Sequence, residues 1–147
     1  MSSTIRLSHE YEATADAVWA VAIDWKALAT MSASAVSYRG LPTGVLSEGQ
    51  VAEFEISAFG IMPWSPYQVE VVEVSAAERR FVSHENGGMI KLWRHVMTIE
   101  ETPTGARQSD VIEIDAGFMT WFVVILAKRM YAKRDAPRRA LLGLPPR

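Results

Sequence analysis

The sequence predicts an α+β fold in which an antiparallel sheet receives one long C-terminal helix. The stretch from Gly117 to Arg134 has helix-compatible residues and no proline, which predicts several continuous helical turns. Before it, residues 51–115 form short runs of alternating apolar and polar residues separated by turn residues, a pattern typical of antiparallel strands. Two short helical segments stand between the first strand and these runs.

Length and composition favour a single folded domain, residues 1–147. Of the residues, 49% are hydrophobic and five are tryptophan, which argues against disorder and allows an aromatic-lined cavity. A net charge of −2 gives no reason to expect a nucleic-acid partner. Because the chain has no cysteine, it has no disulfide framework, thiolate nucleophile or thiolate metal site.

The N-terminus and the longest apolar segment predict a soluble cytoplasmic protein. The first six residues lack the apolar core of a signal peptide, and Phe118 to Ala127 is too short to span a bilayer. Seven of the fifteen Lys and Arg residues fall from Lys128 onward. This basic end could touch an anionic membrane surface, but we favour a solvated helix face and expect no stable membrane insertion.

The strands are predicted from alternation and from turn residues. Residues 4–12 alternate as a half-buried strand, Thr14 is the predicted N-cap of a short helix, and a second short helix is predicted over Trp25 to Met31. Val71-Val72 breaks the alternation of one later strand and predicts a bulge. After a short strand near Val36, the predicted strands are residues 51–59, 67–74, 79–84, 89–101 and 106–115.

The predicted C-terminal helix has one stripe suited to the interior and a second apolar surface. Residues placed 100° apart put Val123, Ala127, Met130 and Arg134 on the inner stripe. We expect a lid or a homodimer partner to cover the second surface. That surface consists of Phe118, Trp121, Phe122, Ile125 and Leu126.

The element order is accompanied by several local patterns. These patterns are Ala17-Val18-Trp19 followed by Asp24-Trp25, Arg79-Arg80-Phe81, Trp93-Arg94-His95, and Gly105-Ala106-Arg107 before Asp110. Together they resemble the helix-grip fold of the SRPBCC superfamily, which includes START lipid-transfer domains, the birch-pollen-allergen group and polyketide cyclase/dehydrase-like proteins. The resemblance covers nearly the whole chain. It implies a curved antiparallel sheet of about seven strands wrapped around the C-terminal helix, with a cavity for a hydrophobic ligand.

The turn from Thr102 to Gly105 determines which residues of the last two strands lie opposite each other. The predicted pairs are Met97 with Asp110, His95 with Ile112, and Trp93 with Ile114. The face that carries these pairs is mostly apolar, so we assign it to the interior. A register shift of one residue would exchange one strand's faces.

His95 and Asp110 are candidate catalytic residues because this register makes them diagonal neighbours across two strands. A carboxylate that orients an imidazole in a dry pocket could support general acid–base chemistry. The alternative, which we favour, is that the two side chains only satisfy each other in a mixed core.

The other candidate site residues are mostly apolar. We predict a ligand site formed by Phe54, Ile56, Trp64, Trp93, Met97, Ile112, Met130 and Arg134. Arg134 either meets a ligand carboxylate or Asp110, or it extends to solvent. The loop from Phe59 to Tyr67 is either a hydrophobic gate over the cavity or a segment packed on the core.

Three classes of function remain open at this point. The first is a carrier or sensor of a small hydrophobic molecule, lipid- or polyketide-like. The second is a polyketide cyclase or aromatase-like enzyme, and the third is a protein-interaction module. No histidine spacing predicts a metal site, and neither a recognisable nucleophile nor a phosphate-binding loop is present, so we expect no cofactor.

Overall fold

A computed structural model describes all residues from Met1 to Arg147. It contains seven strands and three helices. In chain order the elements are β1 (Ser3–Tyr11), α1 (Ala15–Ala22), α2 (Trp25–Ser32), β2 (Val36–Arg39), β3 (Val51–Ala58), β4 (Ser65–Ser75), β5 (Arg80–Gly87), β6 (Ile90–Thr102), β7 (Gly105–Asp115) and α3 (Thr120–Leu141).

The seven strands form one antiparallel sheet in the order β1-β7-β6-β5-β4-β3-β2. Strands β1 and β2 are therefore the two edges, and α1 and α2 connect one edge to the other. The long helix α3 packs against α2, β1 and β7. This arrangement is the helix-grip fold, and it confirms the predicted fold class.

The two short helices begin where side chains can bind free backbone N–H groups. Thr14 Oγ1 accepts a hydrogen bond of 3.1 Å from Ala17 N, and Asp24 Oδ1 accepts one of 3.0 Å from Lys26 N. Such N-caps stabilise helices whose first N–H groups have no partner within the helix. The prediction that Thr14 is an N-cap is thus confirmed.

The predicted strand register is also confirmed. Met97 pairs with Asp110, His95 with Ile112, and Trp93 with Ile114, and the register of β4 against β5 shifts between Val71 and Glu73 at the predicted bulge. The shift re-aims the C-terminal part of β4 while the remainder keeps its apolar face toward the interior.

The predicted long C-terminal helix is confirmed, and it extends beyond Arg134, where the predicted stretch ended. Gly117 has φ +62° and lies in the turn before α3, where its carbonyl accepts a hydrogen bond of 2.6 Å from Thr120 Oγ1. At the other end the helix continues through Pro137 to Leu141. Arg138 therefore stays helical and lies one turn beyond Arg134 on the buried side of α3.

Two groups of buried hydrophobic residues form the core. The larger one packs α1 and α2 against β3 to β7, and the smaller one packs α3 against β1, β6 and β7. Between them the sheet and α3 do not close completely, and this is where the candidate site lies. None of the helices has the length and apolar character that crossing a membrane requires.

Candidate ligand cavity

A cavity of about 600 Å³ lies between the sheet and α3. Of its 36 lining residues, 26 are hydrophobic. Pockets for small molecules typically have volumes of about 300 to 1,000 Å³ and are mostly apolar with a few polar groups. The cavity therefore has the size and the lining of a small-molecule site.

Aromatic side chains form much of one wall. The ring centroid of Phe54 lies 6.3 Å from that of Trp25, 5.7 Å from that of Tyr38 and 5.9 Å from that of Tyr67. These distances are typical of tilted and edge-to-face aromatic pairs, which fix ring orientations better than aliphatic contacts do. The wall therefore has a defined shape before any ligand enters.

Exposed apolar side chains mark the mouth of the cavity. Ile61 is 84% exposed and Met62 is 46% exposed, yet both line the cavity together with Phe59 and Met89. Phe59 has φ 56°, a conformation that is unfavourable for a residue with a side chain. The loop from Phe59 to Tyr67 thus contributes to the mouth, and whether it acts as a gate or packs on the core stays open.

A group of hydrogen-bonded polar side chains lies among the apolar lining. His95 Nε2 is 2.7 Å from Asp110 Oδ1, and Gln108 Nε2 donates to Asp110 Oδ2 across 3.4 Å. The His95 ring makes edge contacts with Phe81 and Tyr131, each with a centroid distance of 5.8 Å. The imidazole is thus held by a carboxylate at one nitrogen and by two aromatic rings beside it.

Asp110 is ionised at neutral pH although it is buried. Burial is the largest influence and by itself would raise the pKa of Asp110. The hydrogen bond from His95 and the charges of His95, Arg138 and Arg134 outweigh it, so the pKa is lower than usual. Since an ionised carboxylate only accepts hydrogen bonds, His95 Nε2 carries the hydrogen that it donates to Asp110.

Arg134 also lines the cavity. Unlike His95 and Asp110, it makes no hydrogen bond or ion pair with another side chain. Its residue surface is 7% exposed, its Nε has no hydrogen-bond partner, and its guanidinium carbon lies 4.5 Å from the centroid of the Tyr131 ring. The Tyr131 ring offers a cation–π contact. It accepts no hydrogen bond from the Arg134 N–H groups, because these point outward in the plane of the guanidinium.

Several polar residues that line the cavity were not predicted from the sequence. Glu85 accepts hydrogen bonds from Tyr67 (2.8 Å) and Ser83 (2.9 Å), and Arg138 donates to the Tyr11 hydroxyl across 2.8 Å. Burial is the main cause that raises the pKa of Tyr67, so its phenol stays protonated and donates. Arg138 could have been found from its spacing of four residues after Arg134, had the helix been extended through Pro137.

The structure brings together most of the predicted site residues. Around the cavity lie Phe54, Ile56, Trp93, His95, Met97, Asp110, Met130 and Arg134. Their roles in binding or catalysis stay predictions. Two residues, Phe122 and Leu126, were assigned to the outer surface of the helix but line the cavity.

Trp64 and Ile112 are not part of the cavity lining, contrary to their assignment to the ligand site. The Trp64 ring lies under the exposed Arg39 guanidinium, whose carbon is 3.9 Å from the ring centroid. Ile112 is completely buried in the group that packs α3 against β1, β6 and β7, where helix and sheet are in direct contact. No group of three or more His, Cys, Asp and Glu side chains is arranged to hold a metal ion.

Comparison with known proteins supports the fold. No protein-family model and no curated protein sequence matches the chain. Protein Ms6760 from Mycobacterium smegmatis has a similar structure, with a TM-score of 0.77 and 14% identity over 98% of this chain and 93% of that chain. Protein CV1439 from Chromobacterium violaceum has a TM-score of 0.74 and 18% identity over 97% and 98%.

A third similar structure is that of Ara h 8.0201, with a TM-score of 0.71 and 11% identity over 97% of this chain and 99% of that chain. The class that these structures and the architecture define is a helix-grip protein with an internal cavity. At these identities the likeness concerns the fold alone.

Proposed function

We propose that the protein binds a small hydrophobic molecule, lipid- or polyketide-like, in the cavity between the sheet and α3. The observation that supports this proposal is the cavity of about 600 Å³ with its mostly hydrophobic lining. An empty cavity with such walls leaves apolar surface in contact with water, so a ligand that replaces the water gains free energy. The protein would act as a carrier or a sensor, because both need only binding and release.

We propose further that the chain is a distant member of the SRPBCC superfamily, close to the polyketide cyclase/dehydrase-like proteins. The element order and the helix-grip architecture support this placement.

Two measurements test the binding proposal. Native mass spectrometry of the purified protein should reveal a co-purified apolar molecule, and the neutral dye Nile red should bind with a saturable rise in fluorescence. Leu126→Trp places a larger side chain in the cavity and should weaken Nile red binding by about tenfold, ~1.4 kcal/mol. Lys128→Trp is the control, because Lys128 is exposed on the same helix and lies outside the cavity lining.

Equal dye binding by wild type, Leu126→Trp and Lys128→Trp would place the dye outside the cavity. Absence of saturable dye binding in a folded wild-type protein, with no co-purified molecule, would contradict the proposal.

A second candidate function is acid–base catalysis of the cyclase or aromatase type at the same site. The specific observation is the contact of 2.7 Å between His95 Nε2 and Asp110 Oδ1 beside the cavity. In this role Asp110 orients the imidazole, while His95 transfers the proton to or from the substrate.

His95→Gln distinguishes the two functions. If His95 and Asp110 only satisfy each other, the substitution should lower the free energy of unfolding by about 1 to 3 kcal/mol and leave Nile red affinity unchanged. If His95 is a general acid or base, cyclisation of a poly-β-keto thioester, followed by mass spectrometry, should slow by at least about a hundredfold while dye binding persists. Lack of cyclisation by the wild-type protein would count against the enzymatic role.

We also propose that an exposed apolar surface of α3 mediates homodimerisation. We name it the outer face and define it as Phe118, Trp121 and Ile125. These residues are 86%, 62% and 43% exposed. A two-fold symmetric contact needs only this one patch, since each copy supplies the same residues to the other. An interaction module for a different protein is the weaker alternative.

A further inference from the structure

Arg134 lies at the inner end of a row of side chains that begins at the mouth of the cavity. Phe122, Leu126, Met130 and Arg134 are spaced four residues apart on α3, and all four line the cavity. Phe122 is partly exposed, whereas Arg134 is buried. At 1.5 Å per residue, roughly 18 Å of helix separate the two. A ligand whose apolar part lies along Phe122, Leu126 and Met130 has its other end next to a positive charge.

We propose that the cavity selects hydrophobic molecules that carry a carboxylate, and that Arg134 is the residue that recognises this group. The inference rests on the proposed binding function and specifies the chemical class of its ligand.

The Arg134 guanidinium is buried without an anion. Only 7% of the residue is exposed, its Nε has no hydrogen-bond partner, and it makes no ion pair with any carboxylate of the chain. Arg139 differs, because it pairs with Glu12 at 3.2 Å. Arg138 also lacks an ion pair and a partner for its Nε, but its Nη1 donates to the Tyr11 hydroxyl at 2.8 Å. A buried charge is normally paired, so the isolation of Arg134 calls for a partner from outside the chain.

The two carboxylates near Arg134 are already hydrogen-bonded to other residues. Both Glu85 and Asp110 line the cavity and interact electrostatically with Arg134. However, the oxygens of Glu85 accept from Tyr67 and Ser83. Asp110 accepts hydrogen bonds on both oxygens as well. These donors hold the two carboxylates in place, and neither carboxylate forms an ion pair with Arg134, so its N–H groups remain available.

The Arg134 guanidinium keeps its positive charge. Burial is the largest influence and by itself would lower the pKa of the guanidinium. The tyrosines Tyr131 and Tyr38 and the two carboxylates outweigh it, and the pKa is raised. The site therefore presents a fixed cation at any pH at which the protein is folded.

The shape of the guanidinium favours a carboxylate as the ligand group that it binds. A guanidinium presents a planar fork of N–H donors, which matches the two oxygens of a carboxylate in a bidentate arrangement. Tyr131 lies under the guanidinium and limits its rotation, so the fork is oriented before binding. The apolar part of the ligand then contacts the aromatic wall and the apolar residues at the mouth.

The inference is tested with three probes and two matched variants. The probes are dodecanoate, methyl dodecanoate and the neutral dye Nile red, and the first two are titrated as competitors of the dye. Arg134→Met keeps an apolar stem of similar length and removes the charge. Arg129→Met is the control, because Arg129 is exposed on the same helix.

Wild type and Arg129→Met should bind dodecanoate at least about tenfold more tightly than its methyl ester, since hydrogen bonds to charged groups are the stronger kind. Arg134→Met should bind the acid and the ester equally, and the ratio of these two affinities is the readout. Circular dichroism verifies folding. If Arg134→Met does not fold, Arg134→Gln, which keeps a polar group but no charge, should show the same loss of preference.

The two proposals fail in different ways. Binding of Nile red and of the ester without a preference for the acid in wild type, or a preference that survives in Arg134→Met, would overturn the inference and leave the hydrophobic site in place. If no probe binds to folded wild-type protein, the proposed function itself is wrong, and the inference is overturned with it.

Discussion

Asp110 accepts hydrogen bonds on both carboxylate oxygens although only 2% of its surface is exposed. Burying a carboxylate is costly unless donors replace the lost water, and here His95 and Gln108 provide them. The ionised state of Asp110 is therefore part of the folded structure, and stability should depend on it.

We expect Asp110→Asn to make the protein less stable by about 1 to 3 kcal/mol at pH 7. Because the pKa of Asp110 is lowered in the folded state, the unfolded chain takes up the proton first as the pH falls. The contribution of Asp110 is fully present above about pH 4, the ordinary pKa of an aspartate, and is lost between that value and the lower pKa of the folded state.

Urea unfolding of wild type and Asp110→Asn from pH 7 to pH 3 measures this difference. The gap in the free energy of unfolding should narrow at the acidic end. Glu53→Gln, on the exposed outer side of β3, serves as control and should change the free energy of unfolding by no more than about 0.5 kcal/mol. A constant gap for Asp110→Asn over the whole range would contradict the prediction.

The proximity of His95 and Asp110 could be predicted because a single turn and strict alternation are enough to fix it. The isolation of Arg134 could not, because it depends on which donors Glu85 and Asp110 bind. Helical periodicity places Arg134 on the inner stripe but carries no information about distant strands. The same limit explains Trp64, since no periodicity determines to which side a loop residue turns.

At the scale of elements, the β6–β7 hairpin determines where the polar cavity residues lie. Its turn ends at Gly105, which pairs with Thr102 and lies directly against the end of β1. A Cβ atom at Gly105 would lie 2.1 Å from Tyr11 O and 3.0 Å from Ala13 N. The turn, the register of β7 and the connection from β1 to α1 therefore depend on this glycine.

Gly105→Ala should lower the free energy of unfolding by about 2 to 4 kcal/mol, because the new methyl group clashes with backbone atoms that have little freedom to move. Gly44→Ala is the matched control. Gly44 has φ +84° and no neighbouring atom within 4 Å of the added Cβ, so its cost should be only the backbone strain, about 1 to 2 kcal/mol. Equal losses for the two variants in urea unfolding would show that the close contact at Gly105 is unimportant.

The strands and the inner stripe of α3 could be predicted from alternation and helical spacing, but not how far each element extends. Proline normally ends a helix because it lacks an N–H and clashes with the preceding turn. In α3 the helix continues through Pro137, since Arg138 and Arg139 beyond it gain partners on and next to β1. The sequence also could not show whether Ile112 lines the cavity or packs in the core, because alternation places both kinds of residue on the same face of the strand.

At the scale of the whole molecule, the outer face on α3 is the feature that no contact within the chain explains. Trp121 is its central residue and makes an edge contact with Phe122, with ring centroids 5.8 Å apart. Phe122 in turn lines the cavity, so a second copy at this surface would lie next to the ligand entrance.

Sedimentation velocity should detect a homodimer of the wild-type protein that dissociates on dilution. Trp121→Glu should yield monomers at every concentration, because it places a charge in the centre of an apolar contact. Lys128→Glu changes the charge on the same helix outside this surface and should leave the dimer intact. A wild-type protein that remains monomeric at high concentration would contradict homodimerisation.

The overall architecture could be predicted because element order and local patterns are properties of the chain itself. The volume of the cavity could not, because it depends on the distance between the sheet and α3. That distance results from the packing of α3 against α2, β1 and β7, and these contacts join residues far apart in the sequence.

The apolar lining of the cavity also has a calorimetric consequence. When a ligand covers apolar walls, the heat capacity of the system falls, and a negative heat-capacity change is the most robust sign of such burial. The enthalpy of binding should therefore become steadily more negative as the temperature rises, while a compensating entropy keeps the affinity nearly constant. The same complex would be held together largely by entropy in the cold and by enthalpy in the warm.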